Sequence, residues 1–161
     1  MTKNKPGIHE IMKYVILAAV TAYIILLMLY MSGSRKSFQE VEAEMTAALE
    51  SSDLTQMGDQ ALKRNFGLNS ADYDGVLYYC SQSSISADEV LLIRVRSEEQ
   101  AKKVTDAIEE RITSRIADFE GYMPEEAKLL EDAQQSVRGK YIFYAAAPDA
   151  AEYRAVFDAS L

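Results

Sequence analysis

The sequence predicts an α+β protein: an N-terminal transmembrane helix, then a two-layer sandwich with helices packed on one face of an antiparallel four-stranded sheet. Three observations carry this reading. The run Tyr14–Met31 holds 18 residues without a charge, a Pro or a Gly. Segments rich in β-branched and aromatic residues come in two pairs, each broken by a turn-forming stretch. Between and after the pairs lie segments with apolar residues at helical spacing, which supply the second layer.

At about 1.5 Å per residue, the apolar run makes a helix of roughly 27 Å, near the ~30 Å hydrocarbon core of a bilayer. Lys3, Lys5 and Lys13 precede it, Arg35 and Lys36 follow it, and Tyr14 and Tyr30 fall near its ends, where interfacial aromatics belong. The division is then a cytoplasmic tail 1–13, a membrane helix 14–31, a stalk or linker helix 32–52 and an extracytoplasmic domain 53–161. The rival reading is a cleaved leader with Ser32–Ser34 as the small-residue site, although its apolar core is long for that role. No Cys lies beside the run, which excludes a lipid-bearing Cys there.

Phe38, Val41, Met45 and Leu49 form one helical face, a continuation of the membrane helix as a stalk. Asp53 is placed to cap a second helix with Leu54, Met57, Ala61, Leu62 and Phe66 inward, ended by Gly67. Gly75–Ser81 and Glu89–Arg96 read as a hairpin. Leu91, Ile93 and Val95 point to one face of its second strand, and Leu92, Arg94 and Arg96 to the other. Ser97 and Gln100 resemble a capping box for a long helix with the stripe Ala101, Val104, Ile108, Ile112, Ile116 and Phe119. Gly121 ends that helix and Pro124 starts a short one, with Glu125 and Glu126 in its first turn, where acids complement a helix N-terminus. In Gln135–Ala147, Arg138–Gly139 reads as a tight turn between two strands. Asp149 and Glu152 then suggest a capping box for the last helix.

Several function classes are excluded or weakened. Ser37–Leu161 carries 12 Lys and Arg against 24 Asp and Glu, a net of −12, so nucleic acid and anionic lipid are poor partners. The one histidine, His9, precedes the apolar run, which leaves the domain without imidazole for a triad or ordinary zinc ligation. Cys80 is the sole cysteine, so no intrachain disulfide forms. Ser70, Asp72, Asp74 and Gly75 imitate the first half of a calcium loop, but Ser81 stands where a bidentate Glu is required. No cofactor or metal is expected. The acid pairs Asp88–Glu89, Glu109–Glu110, Glu125–Glu126 and Glu131–Asp132 read mostly as solvated helix faces.

Two groups of residues are candidates for recognition. Arg94 and Arg96 share one side of a strand, and Arg111 and Arg115 lie one helical turn apart. Arginines gathered in so acidic a domain suit an anionic ligand or a partner's carboxylate; the alternative is pairing with neighbouring acids. Tyr79 and Tyr144, among the strand aromatics, add the apolar part of an interaction surface with Arg94, Arg96, Arg111 and Arg115, unless helices cover that face.

The stretches Ala87–Val95, Ile108–Glu126 and Val137–Ala147 resemble an uncharacterised bacterial family, domain of unknown function 4358. Glu89 before a strand, Arg111 on a helix, Phe119, Tyr122 and Pro124 at its end, and Gly139 and Tyr141 opening a late strand carry the resemblance, which spans the last two-thirds of the chain. It implies a structural role for Glu89, Phe119, Tyr122, Pro124, Gly139 and Tyr141. It also implies an extracytoplasmic, membrane-held domain and no known reaction. Members are often lipoproteins, and the apolar helix here departs from that. The resulting expectation is a single-pass membrane protein whose outer domain is a non-catalytic module for an unknown protein or small ligand at the outer membrane face. Two alternatives stand beside it. One is a small enzyme using carboxylates and tyrosines. The other is a membrane-complex subunit recognised through its helix, where Ala18, Ala19 and Ala22 allow close approach.

Overall fold

The computed structural model describes residues 8–31 and 36–161, with side chains described for 12–26 and 36–161. Most of the expected tail and the Ser32–Arg35 link therefore lie outside the described residues. The chain forms two units, 1–33 and 34–161.

The first unit contains helix α1, Ile8–Met31. Its described side chains, Met12 to Leu26, are exposed, and the Thr21 hydroxyl donates to the Leu17 carbonyl at 2.7 Å. That bond satisfies the only aliphatic hydroxyl of the Tyr14–Met31 stretch. Among the described residues no helix is long and apolar enough to cross a membrane. The last part of the apolar run, 27–31, has no described side chains.

The second unit is an α+β domain. In chain order it comprises α2 (Phe38–Leu49), β1 (Thr55–Gln56), α3 (Asp59–Phe66), β2 (Gly75–Cys80), β3 (Glu89–Arg94), α4 (Glu98–Phe119), α5 (Pro124–Glu131), β4 (Gln134–Arg138), β5 (Tyr141–Ala146) and α6 (Ala150–Ser160). The sheet has five strands, not four, in the order β1-β2-β3-β5-β4, antiparallel at every step. The extra strand is Thr55–Gln56, which pairs with Cys80 and Tyr79. This also corrects the helix expected from Asp53. The Met57 amide is drawn to the Tyr78 carbonyl at 2.8 Å, and the helix starts only after Gly58.

Helices cover both faces of the sheet, so the domain is a three-layer sandwich and not a two-layer one. On one face α3, α4 and α5 pack Leu62, Phe66, Val104, Ile108 and Leu130 over Tyr78, Leu91, Ile93 and Tyr144. On the other, α2 and α6 pack Val41, Met45, Leu49 and Phe157 over Leu77, Leu92, Tyr141 and Phe143. The register explains this division. Tyr78, Leu91, Tyr144 and Gln135 lie in one row across the strands, and Leu77, Leu92, Phe143 and Ser136 in the next, so alternation sends adjacent rows to opposite faces. In β3 the residues from Val90 to Ile93 are all buried, as a central strand covered twice requires.

The segment expected as a stalk is therefore part of the core. Ser37 caps α2 in a complete capping box with Glu40. Phe38 lies directly over Gly75, where a β-carbon would collide with its ring. The Tyr141 hydroxyl donates to the Lys36 carbonyl at 3.1 Å, fixing the start of the helix against β5.

The helix ends follow their local chemistry. Gly67, at φ 66°, ends α3 in the left-handed region open to glycine. The Ser97 hydroxyl accepts from the Gln100 amide at 3.3 Å at the start of α4. Its expected counterpart is shifted, because the Gln100 side chain accepts from Arg96 rather than Ser97. Gly121 follows α4 and Pro124 is the first residue of α5. The late hairpin turns at Gly139–Lys140, one residue beyond the expected Arg138–Gly139. Asp149 precedes α6, but its side chain makes no capping bond; the backbone carbonyl accepts from Glu152 and Tyr153 instead.

Candidate functional site

The structure separates the expected tyrosine–arginine surface. Tyr144 lies under α3 and α4, while Tyr79 lies under α2 and α6, on the opposite face of the sheet. Arg94 reaches over the Tyr141 ring, 5.5 Å from its centroid, with a buried Nε that has no hydrogen-bond partner. Arg96 pairs with Asp74 at 2.8 Å and donates to the Tyr73 carbonyl. That pair occupies one of the two carboxylates of the calcium-like stretch, Asp74. Arg115 donates to the Ser86 carbonyl at 2.9 Å and lies 4.2 Å from the centroid of Phe119. Arg111 turns inward to Glu89. The arginines serve separate structural ends.

Glu89 is the centre of a buried polar network. It opens β3, is 2% exposed, and accepts from Tyr78 at 3.1 Å, Tyr144 at 3.0 Å and the Arg111 guanidinium at 3.2 and 3.3 Å. Asn65 on α3 donates to the Tyr78 hydroxyl at 2.7 Å. The network thus ties α3, β2, β3, β5 and α4 together at one point. Burial and then the Glu89 carboxylate push both tyrosine hydroxyls well above their ordinary pKa, so they remain donors. Burial pulls Arg111 down, and Glu89 more than offsets that. A buried carboxylate with this many donors is satisfied. It has no atom left for a ligand, so its role is to fix the fold.

The better candidate for a site is a cavity of about 240 Å³ at the same end of the sheet. Ser52 and Asp53 reach it from the turn after α2, Ser81 and Asp88 from the ends of the β2–β3 loop, and Asp149 and Tyr153 from the start of α6. The loop is held closed by its own short bonds: Ser81 N–H to the Asp88 carbonyl at 2.9 Å, and Asp88 N–H to the Ser86 hydroxyl at 3.1 Å. Asp88 Oδ1 is buried without a hydrogen-bond partner. Burial raises the Asp88 pKa, with Glu126 and Asp149 adding to it, while the Ser86 hydroxyl opposes the shift. Burial also raises the Tyr153 phenol, and Asp149 adds to that effect. The walls therefore offer acceptors and hydroxyls that suit a small ligand rich in hydrogen-bond donors. Among the described residues no group of three or more His, Cys, Asp or Glu is placed to hold a metal.

A larger depression, about 470 Å³, runs along α4 beside Phe66 and Leu68. It is an open groove whose Lys102 and Asp106 pair with each other at 2.6 Å. It gathers no buried polar atom in want of a partner, so the smaller cavity is the stronger candidate.

Residues 47–147, more than half the chain, match the family described as Domain of unknown function (DUF4358). The chain belongs to the DUF4358 family. No curated protein and no solved structure matches it. The DUF4358 match begins inside α2 and stops before α6, so it starts earlier and ends earlier than the sequence resemblance suggested.

Within the DUF4358 domain the motif residues have visible positions. Glu89 and Arg111 form the buried pair, Phe119 and Tyr141 are core, Pro124 starts α5, and Gly139 takes φ 57° in the hairpin. Tyr122 differs, at 75% exposure. Sequence reasoning missed Asp88, Tyr153 and Ser52 as neighbours, because three distant loops bring them together. The available signal was modest: Asp88 directly precedes the strand expected from Glu89.

Proposed function

We propose that this chain is a single-pass membrane protein whose extracytoplasmic DUF4358 domain is a non-catalytic module binding a small polar ligand in the Asp88 cavity. The observation that carries the binding role is the buried, unpartnered Asp88 oxygen in a cavity lined by hydroxyls and carboxylates. A buried acceptor left without a donor is costly, and a ligand donor relieves that cost. The membrane part rests on the uncharged run Tyr14–Met31 and the basic residues before it.

The binding test is a thermal-shift and native mass-spectrometry screen of the full chain against amines, guanidines, polyols and small sugars. A ligand that stabilises the wild type, fails to stabilise Asp88→Asn and stabilises Tyr153→Phe to a different extent supports the reading. Ligands that act equally on all three chains refute the site. Topology is tested by protease accessibility of residues 37–161 in sealed spheroplasts, where protection of the domain refutes the extracytoplasmic placement.

A second reading has its own support. Burial raises the Asp88 pKa in a cavity that also holds Asp149 and Tyr153, a setting that suits acid–base chemistry. Turnover of a screened ligand, lost in Asp88→Asn, would move the protein into the enzyme class.

A further inference from the structure

Three large hydrophobic side chains stand exposed among the described residues of the domain: Ile85, Tyr122 and Val137. Two of them belong to one corner. Ile85 lies in the β2–β3 loop, which is fastened to the end of α4 and the start of α5: Arg115 donates to the Ser86 carbonyl, and the Ala87 amide donates to Glu126 at 2.6 Å. Arg115 in turn stacks on Phe119, and the Phe119 carbonyl accepts from the amides of Tyr122 and Met123 at 3.0 and 2.9 Å. Ile85 at 54% and Tyr122 at 75% exposure are thus carried on the same fastened corner.

The charge of that corner is predominantly negative. Between Ile116 and Ala127 the chain has Asp118, Glu120, Glu125 and Glu126 and no Lys or Arg. Two bases flank this stretch: Arg115, already held by Ser86, Phe119 and Asp118, and Lys128 in the last turn of α5, so four carboxylates stand against one base without such contacts. Gly121 at φ 73° and Pro124 fix the turn that presents the tyrosine. An aromatic ring displayed on a rigid turn loses little freedom on binding. A tyrosine face amid carboxylates attracts Lys and Arg both through the ring and through charge.

We propose that this corner docks a Lys- and Arg-rich segment of a partner protein, with Tyr122 as its aromatic anchor and Ile85 beside it. A second copy of this chain is a poorer occupant, because its matching corner carries the same charge. Anionic lipid is repelled for the same reason. The surface neighbours the Asp88 cavity through the β2–β3 loop, but neither Ile85 nor Tyr122 lines that cavity.

The test is fluorescence anisotropy of the full chain in detergent with a labelled Lys/Arg-rich peptide carrying interspersed leucines. An Asp/Glu-rich peptide of the same pattern is the control. The expected result is saturable binding of the basic peptide alone, weakened by salt, and weakened about tenfold by Tyr122→Ala and several-fold by Ile85→Ala. Val137→Ala, on an exposed apolar residue outside the corner, leaves it unchanged. All of these side chains are at least partly exposed, so circular dichroism melts confirm folding of each variant. No binding overturns the proposal. So does equal binding by wild type and Tyr122→Ala, which signals diffuse attraction to an acidic chain. Loss of a dimer on Tyr122→Ala in sedimentation overturns it in favour of self-association.

Discussion

Glu89→Gln is the sharpest perturbation of the fold. The change is nearly isosteric, so it leaves no cavity and isolates the electrostatics. The Glu89 side chain is 3% exposed and its Arg111 partner 20%. The amide replaces one acceptor with a donor while two tyrosine hydroxyls and a guanidinium still point at it. Breaking a buried ion pair costs ~3–5 kcal/mol, and the residual solvent access of Arg111 brings the expectation to about 2–4 kcal/mol. Chemical denaturation followed by far-UV circular dichroism measures this directly. Arg111→Met removes the other charge, and the double variant regains part of the loss, with a coupling of roughly 1–3 kcal/mol. A cost of Glu89→Gln below about 0.5 kcal/mol, or additive effects in the double variant, refutes the reading of this network as the tie between the layers.

Three further outcomes follow from the geometry. Gly75→Ala forces a methyl into the Phe38 ring and is expected to cost about 1–3 kcal/mol; adding Phe38→Leu restores part of it, as measured by the same denaturation. Ser37→Ala removes the α2 cap and is expected to cost about 1 kcal/mol, with amide exchange quickening first in the opening turn of α2. Asp88 has a folded-state pKa raised above its unfolded value, so the folded state holds the extra proton. Its contribution is complete below the unfolded value, near pH ~4, and is lost as pH rises through the folded value. Asp88→Asn is therefore expected to be more stable than wild type at neutral pH and to lack that decline; an unchanged pH–stability profile contradicts the environment assigned to Asp88.

Much of the domain was legible from period and punctuation. The stripe from Ala101 to Phe119 gave α4, and Gly121 with Pro124 gave the corner after it, because those signals are local. The third layer was not, and the reason lies in β3. Leu92 points to the face where Arg94 and Arg96 were expected to make the surface partly polar, yet Leu92 is wholly buried beneath the α2–α6 layer. Whether such a face is covered depends on where α2 returns, and the sequence of α2 fits a stalk as well as a core helix. The Asp53 helix failed for a related reason. Apolar spacing over Leu54, Met57 and Ala61 suits a helix, but pairing of Thr55 and Gln56 with the edge of β2 outweighs propensity at the sheet boundary.

The position of the cavity relative to the family match bears on the proposed ligand. Ser52, Asp53, Ser81 and Asp88 lie inside residues 47–147, whereas Asp149 and Tyr153 lie beyond them on α6. One wall therefore comes from the shared domain and the other from a helix outside the match. The shared wall supplies the unpartnered acceptor and the Asp53 carboxylate, and the α6 side supplies the phenol and a third carboxylate. Under the proposed binding role, Asp88 governs whether a donor-rich ligand binds at all, and α6 governs which one. Tyr153→Phe should then change the ranking of ligands in the screen, while Asp88→Asn weakens them together. If the two variants have the reverse effects, selectivity resides in the shared domain and α6 only closes the cavity.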